Sequence, residues 1–243
     1  MSSSQYPVEK IFLSPKSSNN AQVFLSGRGH EAASLSFSDQ THEVIFPANI
    51  AFLTDVNYQT TIGYIYSILH SHKYRQRYAE YLAIDFPRIP LPQNQKTLQN
   101  LAYLGNELIK LHLMESPTIE NPITTYKGSK YPDVNRVGWS DGVVWLDATK
   151  TDAKEGHRAT KPGKIGFHGV TKEVWGFHVG GYQVCHKWLK DRKGRTLSED
   201  EIAHYQKIIV AINETIRIMG EIDEVIEKHG GWPGAFQTAQ DSE

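Results

Sequence analysis

Cysteine is almost missing: Cys185 is the single one in 243 residues. An intrachain disulfide and a four-thiolate zinc site are therefore excluded, and a reducing, cytoplasmic setting is expected. An excess of either charge is also missing, with 26 basic against 27 acidic residues and a net charge of −1. That argues against a protein that coats nucleic acid by bulk charge, while leaving room for a local basic patch. No apolar run approaches the roughly 20 residues of a membrane helix. The opening "MSSSQYPVEK" has no positive stretch followed by an apolar one, so no secretory signal is expected. The phosphate-binding patterns GxGxxG and GxxxxGK[ST], and the metal-binding patterns HExxH and CxxC, are all absent.

The eleven histidines are scattered, and His70 and His72, two apart, fall on different faces of a helix. Cys185, on an amphipathic stretch beside Trp188, reads as a packed core thiol. An unrecognised catalytic site would need a cluster such as His168, His178 and Asp147, which nothing in their spacing requires. "GRGHE" (27–31) and "VGGY" (179–182) read as turns.

Hydrophobic residues make up 39% of the chain and charged residues 22%, ordinary for a globular chain of one large or two small domains. Residues 1–58 carry strand-length apolar runs, "KIFLS", "AQVFLSG" and "HEVIFPANIAFLTD", broken by Ser, Asn, Gly and Pro. Residues 60–83 read as helix in two pieces, with Ser71 capping the second, which runs through Tyr74, Tyr78 and Leu82. Pro87, Pro90 and Pro92 then force an extended crossing. Leu98, Leu101, Leu104, Leu108 and Leu111 form a stripe suited to facing another helix.

Residues 116–180 turn to glycine, aromatic and β-branched residues and read as strands joined by turns, with "TKTDAKEGHRATKPGK" as an exposed loop. A short helix is expected near 182–192. A capping box, Ser198 with Glu201, starts a long one. Along it Ile202, Tyr205, Ile209, Ile212, Ile216, Met219 and Ile226 keep an alternating 3,4 spacing, Ile222 or Asp223 filling the remaining slot. Gly230 and Gly231 end that helix, and "AFQTAQDSE" reads as a loose tail. This order of β, helices, β and helices predicts an α+β fold rather than a doubly wound sheet.

Binding chemistry concentrates in the second β-rich stretch. Lys127, Lys130, Arg136, Lys150, Lys154, Arg158, Lys161 and Lys164 are interleaved there with Tyr126, Tyr131, Trp139 and Trp145. Lysine and arginine neutralise phosphates, and arginine also reads guanine edges. By location and residue type the candidates for DNA contact are Lys127, Lys130, Arg136, Arg158, Lys161 and Lys164, with Asn135 and Asp141 for base edges. Arg75 and Arg77 are candidates for phosphate or an acidic partner, whereas Arg88, between prolines, reads as structural. The alternative for each is an ordinary solvated surface.

Three segments carry a family resemblance: "GYIYSILHSHKYRQRYAEYLAIDFPRIPLP" (63–92), "LAYLGNELIKLHLME" (101–115) and "GYQVCHKWLKDRKGRTLSEDEIAHYQKIIVAINETIRIMGEIDE" (181–224). Together they resemble the C-terminal specificity region of type ISP restriction–modification enzymes, which join nuclease, translocase, N6-adenine methyltransferase and target-recognition parts in one chain. The resemblance implies a module that reads double-stranded DNA for methyltransferase and translocase parts located elsewhere. It implies no enzyme activity and no cofactor in this stretch, because the family's [ND]PPY and AdoMet-binding glycine motifs are absent. The expected organisation is a β-rich part at 1–58, a helical coupler at 59–115, a β-rich target-reading part at 116–180 and a helical part at 181–243. The competing expectation is a helical interaction or subunit-coupling domain that uses the leucine and heptad stripes as an interface and reads no DNA.

Overall fold

A computed structural model describes residues 10–16, 20–26, 33–36, 56–84, 87–150 and 160–236. In chain order the elements are β1 (Lys10–Lys16), β2 (Asn20–Ser26), β3 (Ala33–Ser36), α1 (Tyr58–His70), α2 (His72–Arg77), α3 (Ala79–Leu82) and α4 (Gln95–His112). A 3₁₀ turn (Pro117–Glu120) leads to β4 (Thr125–Lys127), β5 (Gly138–Ser140), β6 (Val143–Trp145), β7 (Thr149–Lys150), β8 (Thr160–Lys161) and β9 (Gly166–His168). Then follow α5 (Lys172–Trp175), β10 (His178–Val179), β11 (Tyr182–Gln183), α6 (Val184–Lys190), α7 (Glu199–Lys228) and α8 (Gly231–Gly234). The fold is α+β, with small antiparallel sheets and one long helix near the C-terminal end. Two compact units form, one from Met1–Lys110 with Arg217–Glu243, the other from Leu111–Ile216.

In the first unit β1, β2 and β3 pair as an antiparallel meander, with Lys10 opposite Ser26 and Gln22 opposite Ser36. The expected strand run "HEVIFPANIAFLTD" and most of the expected tail lie outside the described residues. Asn57 caps α1 by accepting from the Thr60 N–H at 2.8 Å. Ser71 separates the next two helices as its sequence position predicts, its Oγ accepting from the Tyr74 N–H at 3.0 Å. The same buried hydroxyl donates to Asp223 on α7. The second helix does not run on to Leu82: Tyr78, with φ −110° and ψ 19°, breaks it into α2 and α3.

The tyrosines explain the proline segment. Pro87, Pro90 and Pro92 have no N–H, so this extended stretch cannot build a ladder of its own. Its carbonyls are met instead by phenols: Tyr64 donates to the Pro90 carbonyl and Tyr74 to that of Arg88, both at 2.7 Å. Tyr74 is 2% exposed, and burial pushes its phenol up to about 12, which keeps the donor protonated. On α4, Leu98, Leu101, Leu104 and Leu108 are all buried, as the stripe predicts. The partner of α4 is α1, and the two backbones meet at Gly63 and Gly105. A Cβ on Gly105 would lie 1.7 Å from the Gly63 carbonyl oxygen. On α7 both residues of the ambiguous heptad slot are used: Ile222 is fully buried and Asp223 accepts the Ser71 bond.

The second unit is built on a four-stranded antiparallel sheet in the order β4-β9-β6-β5. Registers put Tyr126, Phe167, Val144 and Trp139 on one face, and this face is the core side. Phe167 packs on Tyr205 of α7 with ring centroids 4.6 Å apart, and Tyr126 on Phe167 at 5.1 Å. Ile202, Ile209 and Ile212 of α7, with Cys185 and Leu189 of α6, complete the cluster. Tyr205 donates to the Cys185 carbonyl at 3.2 Å. Burial raises the Cys185 thiol to about 12, consistent with a packed core thiol rather than a nucleophile.

The capping box forms as expected. The Glu201 N–H donates to Ser198 Oγ at 3.2 Å, and the Ser198 N–H to the Glu201 carboxylate at 3.1 Å. One helical turn interrupts the expected strands: Thr171 Oγ1 accepts from the Val174 N–H at 3.3 Å and starts α5. His168 and His178 flank this turn. Among the described residues no helix is long and apolar enough to cross a membrane.

Two outcomes test this packing. Gly105→Ala is expected to destabilise the protein by about 2 kcal/mol or more in urea unfolding, because backbone must move to admit the methyl group. Gly220→Ala, whose added Cβ meets nothing within 4 Å, should instead raise stability by roughly 0.5–1 kcal/mol through helix propensity. For the cap, the Ser198 N–H, Arg192 and Arg195 hold the Glu201 carboxyl below its ordinary 4.5. A depressed folded-state value contributes stability above the unfolded value that is lost as pH falls through the folded one. Glu201→Gln should therefore flatten the acid limb of thermal stability below about pH 5, while Ser198→Ala costs about 1 kcal/mol at neutral pH.

Candidate nucleic-acid interface

The sheet of the second unit turns only one face to the core. Its other face carries Thr125, Lys127, Gly166, His168, Val143, Trp145, Gly138 and Ser140 by register. Trp145 lies flat enough over the sheet that a Cβ on Gly166 would meet its ring at 3.2 Å. Its indole N–H donates to Ser140 Oγ at 2.9 Å, and its ring meets His168 edge-on at 5.6 Å. Val143, Trp145 and Ala148 form a small separate apolar cluster here. Burial and the nearby Lys127 both lower the His168 pKa, so at neutral pH its imidazole is uncharged, with one donor and one acceptor nitrogen.

One end of this sheet gathers half of the residues that the sequence singled out for DNA contact. Lys127 closes β4 opposite Gly166, and Lys164 lies two residues before that glycine. Residues 132–136 are pinned between two neighbours. The Asn135 N–H donates to the Leu146 carbonyl at 2.9 Å, the Ala148 N–H to that of Arg136 at 2.8 Å, and the Val134 N–H to that of Arg195 at 2.9 Å. This fixes Asn135, exposed, and Arg136, half-buried, beside the end of β6. Asp147 secures the next turn, accepting from the backbone N–H groups of Lys164 and Ile165 at 3.0 Å each. Gly163 is required there, since a Cβ would stand 2.0 Å from the Asp147 carboxylate. The expected exposed loop begins and ends as a strand pair, with Thr149 opposite Lys161 and Lys150 opposite Thr160. Lys161 and Lys164 are exposed. Arg158 lies outside the described residues.

Other candidates stand apart. Asp141 sits at the opposite end of the sheet, in the β5–β6 turn, with a left-handed φ of 52°. Lys130 is held by Glu199 at 2.7 Å and lies 5.5 Å from the Tyr131 ring centroid. In the first unit, Arg75 Nε donates to the Leu69 carbonyl at 2.6 Å, satisfying the end of α1. Arg77 lines a cleft of about 480 Å³ with Lys73, Gln76, Glu227 and Trp232. The trio His168, His178 and Asp147 does not converge. His168 and Asp147 lie at opposite ends of the sheet, and His178 belongs to the β10–β11 hairpin. Among the described residues no three His, Cys, Asp or Glu side chains form a group that could hold a metal. Thr125 and Ser140 on the outward face escaped the sequence reading, which named His168 only as a member of that trio. The alternation in "TYK", "GFH" and "GWS" around a central aromatic was their signal.

No match is found among curated proteins. Three solved structures are similar: an ATP-dependent Type ISP restriction–modification enzyme, LlaBIII, bound to DNA (17% identity, TM-score 0.48, 84% of this chain); a nuclease-deletion mutant of the Type ISP enzyme LlaGI in complex with a DNA substrate mimic (18%, 0.43, 81%); and a DrdV–DNA complex solved by electron cryomicroscopy (20%, 0.47, 88%). The chain spans 13%, 15% and 24% of their respective lengths. The model of the Type ISP C-terminal specificity domain matches residues 21–221, most of the sequence. This chain thus belongs to the family of Type ISP C-terminal specificity domains, the target-recognition and not the catalytic part of such restriction–modification enzymes.

Proposed function

We propose that this chain reads a sequence in double-stranded DNA through its β-rich unit and so directs the methyltransferase, translocase and nuclease parts of a longer restriction–modification protein. Membership of the specificity-domain family sets the class of function. What carries the placement is the gathering of Lys127, Asn135, Arg136, Lys161 and Lys164 at one end of a sheet whose opposite face is fixed to the core. Lys127, Lys161 and Lys164 meet phosphates. Arg136 and Asn135, held by backbone bonds at their own positions, meet base edges. Lys130, held by Glu199, and Asp141, at the far end of the sheet, contribute less. Arg75 serves α1 rather than DNA, and Arg77 reaches phosphate from the helical unit. The helical-interface alternative is less favoured, because the stripes it would use are buried within the chain: Leu98, Leu101, Leu104, Leu108 and Leu111 are each at most 9% exposed.

Binding of the chain to a random-sequence duplex library, followed over a series of salt concentrations, tests this reading. Wild type should weaken log-linearly with salt. Replacing Lys127, Lys161 and Lys164 together by Gln should make the slope shallower by about one for each lysine removed. Arg136→Ala and Asn135→Ala should instead relax the sequence selected from the library. Salt-independent affinity, or an unchanged selection in both single variants, would overturn the assignment.

A further inference from the structure

The hairpin β10–β11 has no part in the packing described above. His178 pairs with Gln183 and Val179 with Tyr182. The two residues between them, Gly180 and Gly181, have φ of 55° and 88°, the two positive angles of a type I′ turn. Its base is tied down: the Val184 N–H donates to the Phe177 carbonyl at 3.1 Å, and the Gln183 amide to the Trp175 carbonyl at 2.5 Å. Its tip is open, since a Cβ on either glycine would meet nothing within 4 Å. The one cross-strand pair at that tip is apolar and solvent-facing, with Val179 60% and Tyr182 63% exposed.

The stretch of sequence that carries this tip is basic. Residues 172–195 hold six Lys and Arg against two acidic residues, in a chain whose total charge is −1. Lys187 Nζ stands 5.9 Å from the Tyr182 ring centroid. Its partner Asp191, one turn away on an exposed pair, would have to be displaced by a phosphate, as Glu199 would at Lys130, so the gain from Lys187 is reduced in the same way. An apolar two-stranded ribbon with a lysine at its side matches a duplex groove: phosphates lie along the edges and the major groove admits a two-stranded ribbon.

We propose that the β10–β11 ribbon enters the major groove of double-stranded DNA, with Val179 and Tyr182 against thymine methyl groups and Lys187 on a flanking phosphate. The inference rests on the DNA-reading function proposed above and adds to it an apolar reading element remote in sequence from the lysine-rich sheet end. Thymine is the base that offers an apolar group in that groove, so the pair supplies discrimination that charged side chains cannot.

The test uses the full chain and a duplex that wild type selects from a random library, prepared once with thymine and once with uracil, which lacks the methyl group. Uracil should weaken wild type roughly tenfold and leave a Val179→Ala/Tyr182→Ala variant, already weaker by a similar factor on thymine DNA, unaffected. Both side chains are exposed, so the variant should keep the wild-type melting temperature, which is measured alongside. Equal losses on uracil DNA in both proteins, or no loss in either, overturn the ribbon assignment and leave DNA reading in place. If wild type selects no duplex at all, the reading beneath the assignment falls.

Discussion

The contact between Phe167 and Tyr205 sets what the second unit can present. Phe167 lies at the centre of β9, itself a central strand, and Tyr205 is fully buried on α7. With rings 4.6 Å apart, they commit one face of the sheet to the helix. The strict alternation of a strand then sends Lys127, His168, Ser140 and Trp145 outward. A shift of register by one residue would exchange the two sets, burying a lysine and a histidine and exposing Phe167 and Val144. The burial of Tyr205 is the stronger determinant, because an aromatic side chain of this size gains about 1.5–3 kcal/mol from leaving water, while exposed ion pairs gain about 1 kcal/mol at most.

The polar bonds at the sheet end work by holding backbone. Asp147 spends its carboxylate on two N–H groups, and so leaves the Lys164 ammonium unengaged by it. Asn135 and Arg136 are fixed through their main chains, which keeps their side chains available at a defined position. Lys130 shows the opposite case: its ammonium is already paired with Glu199. A phosphate would have to displace that carboxylate, so the net gain from the same type of residue is smaller.

Local chemistry makes much of this legible in the chain itself. Ser71 and Ser198 announce helix starts because a cap depends on residues within one turn. The heptad of α7 and the leucines of α4 announce their buried faces because helical period is local too. What stays hidden depends on distant partners. Nothing in residues 60–92 says that Tyr64 and Tyr74 will donate to the carbonyls of the proline segment, or that Gly63 will meet Gly105 in a later helix. The three-residue strands are too short for periodicity to separate them from turns, so α5 merges with its neighbours in the sequence pattern. At the candidate interface, residue type points to the cations. It cannot distinguish Lys164 from the paired Lys130, or place Asp141 at the far end of the sheet, because those depend on the strand order.

Near-neutrality and a local basic surface fit together on the proposed reading. The phosphate term in DNA affinity is independent of sequence, and it grows with every cation that reaches the backbone. A strongly basic module would gain on every site alike, which raises dwell time on wrong sequences as much as on the right one. With 26 basic and 27 acidic residues, the bulk contribution is small, and only the few cations at the sheet end and the ribbon stand close enough to act. Discrimination then falls to short-range interactions, hydrogen bonds from Arg136 and Asn135 and apolar packing from Val179 and Tyr182. Each of these vanishes on a mismatched base while the phosphate interactions persist. A reader built this way keeps a high ratio of specific to non-specific binding at modest absolute affinity, and that ratio is the quantity a specificity domain has to supply.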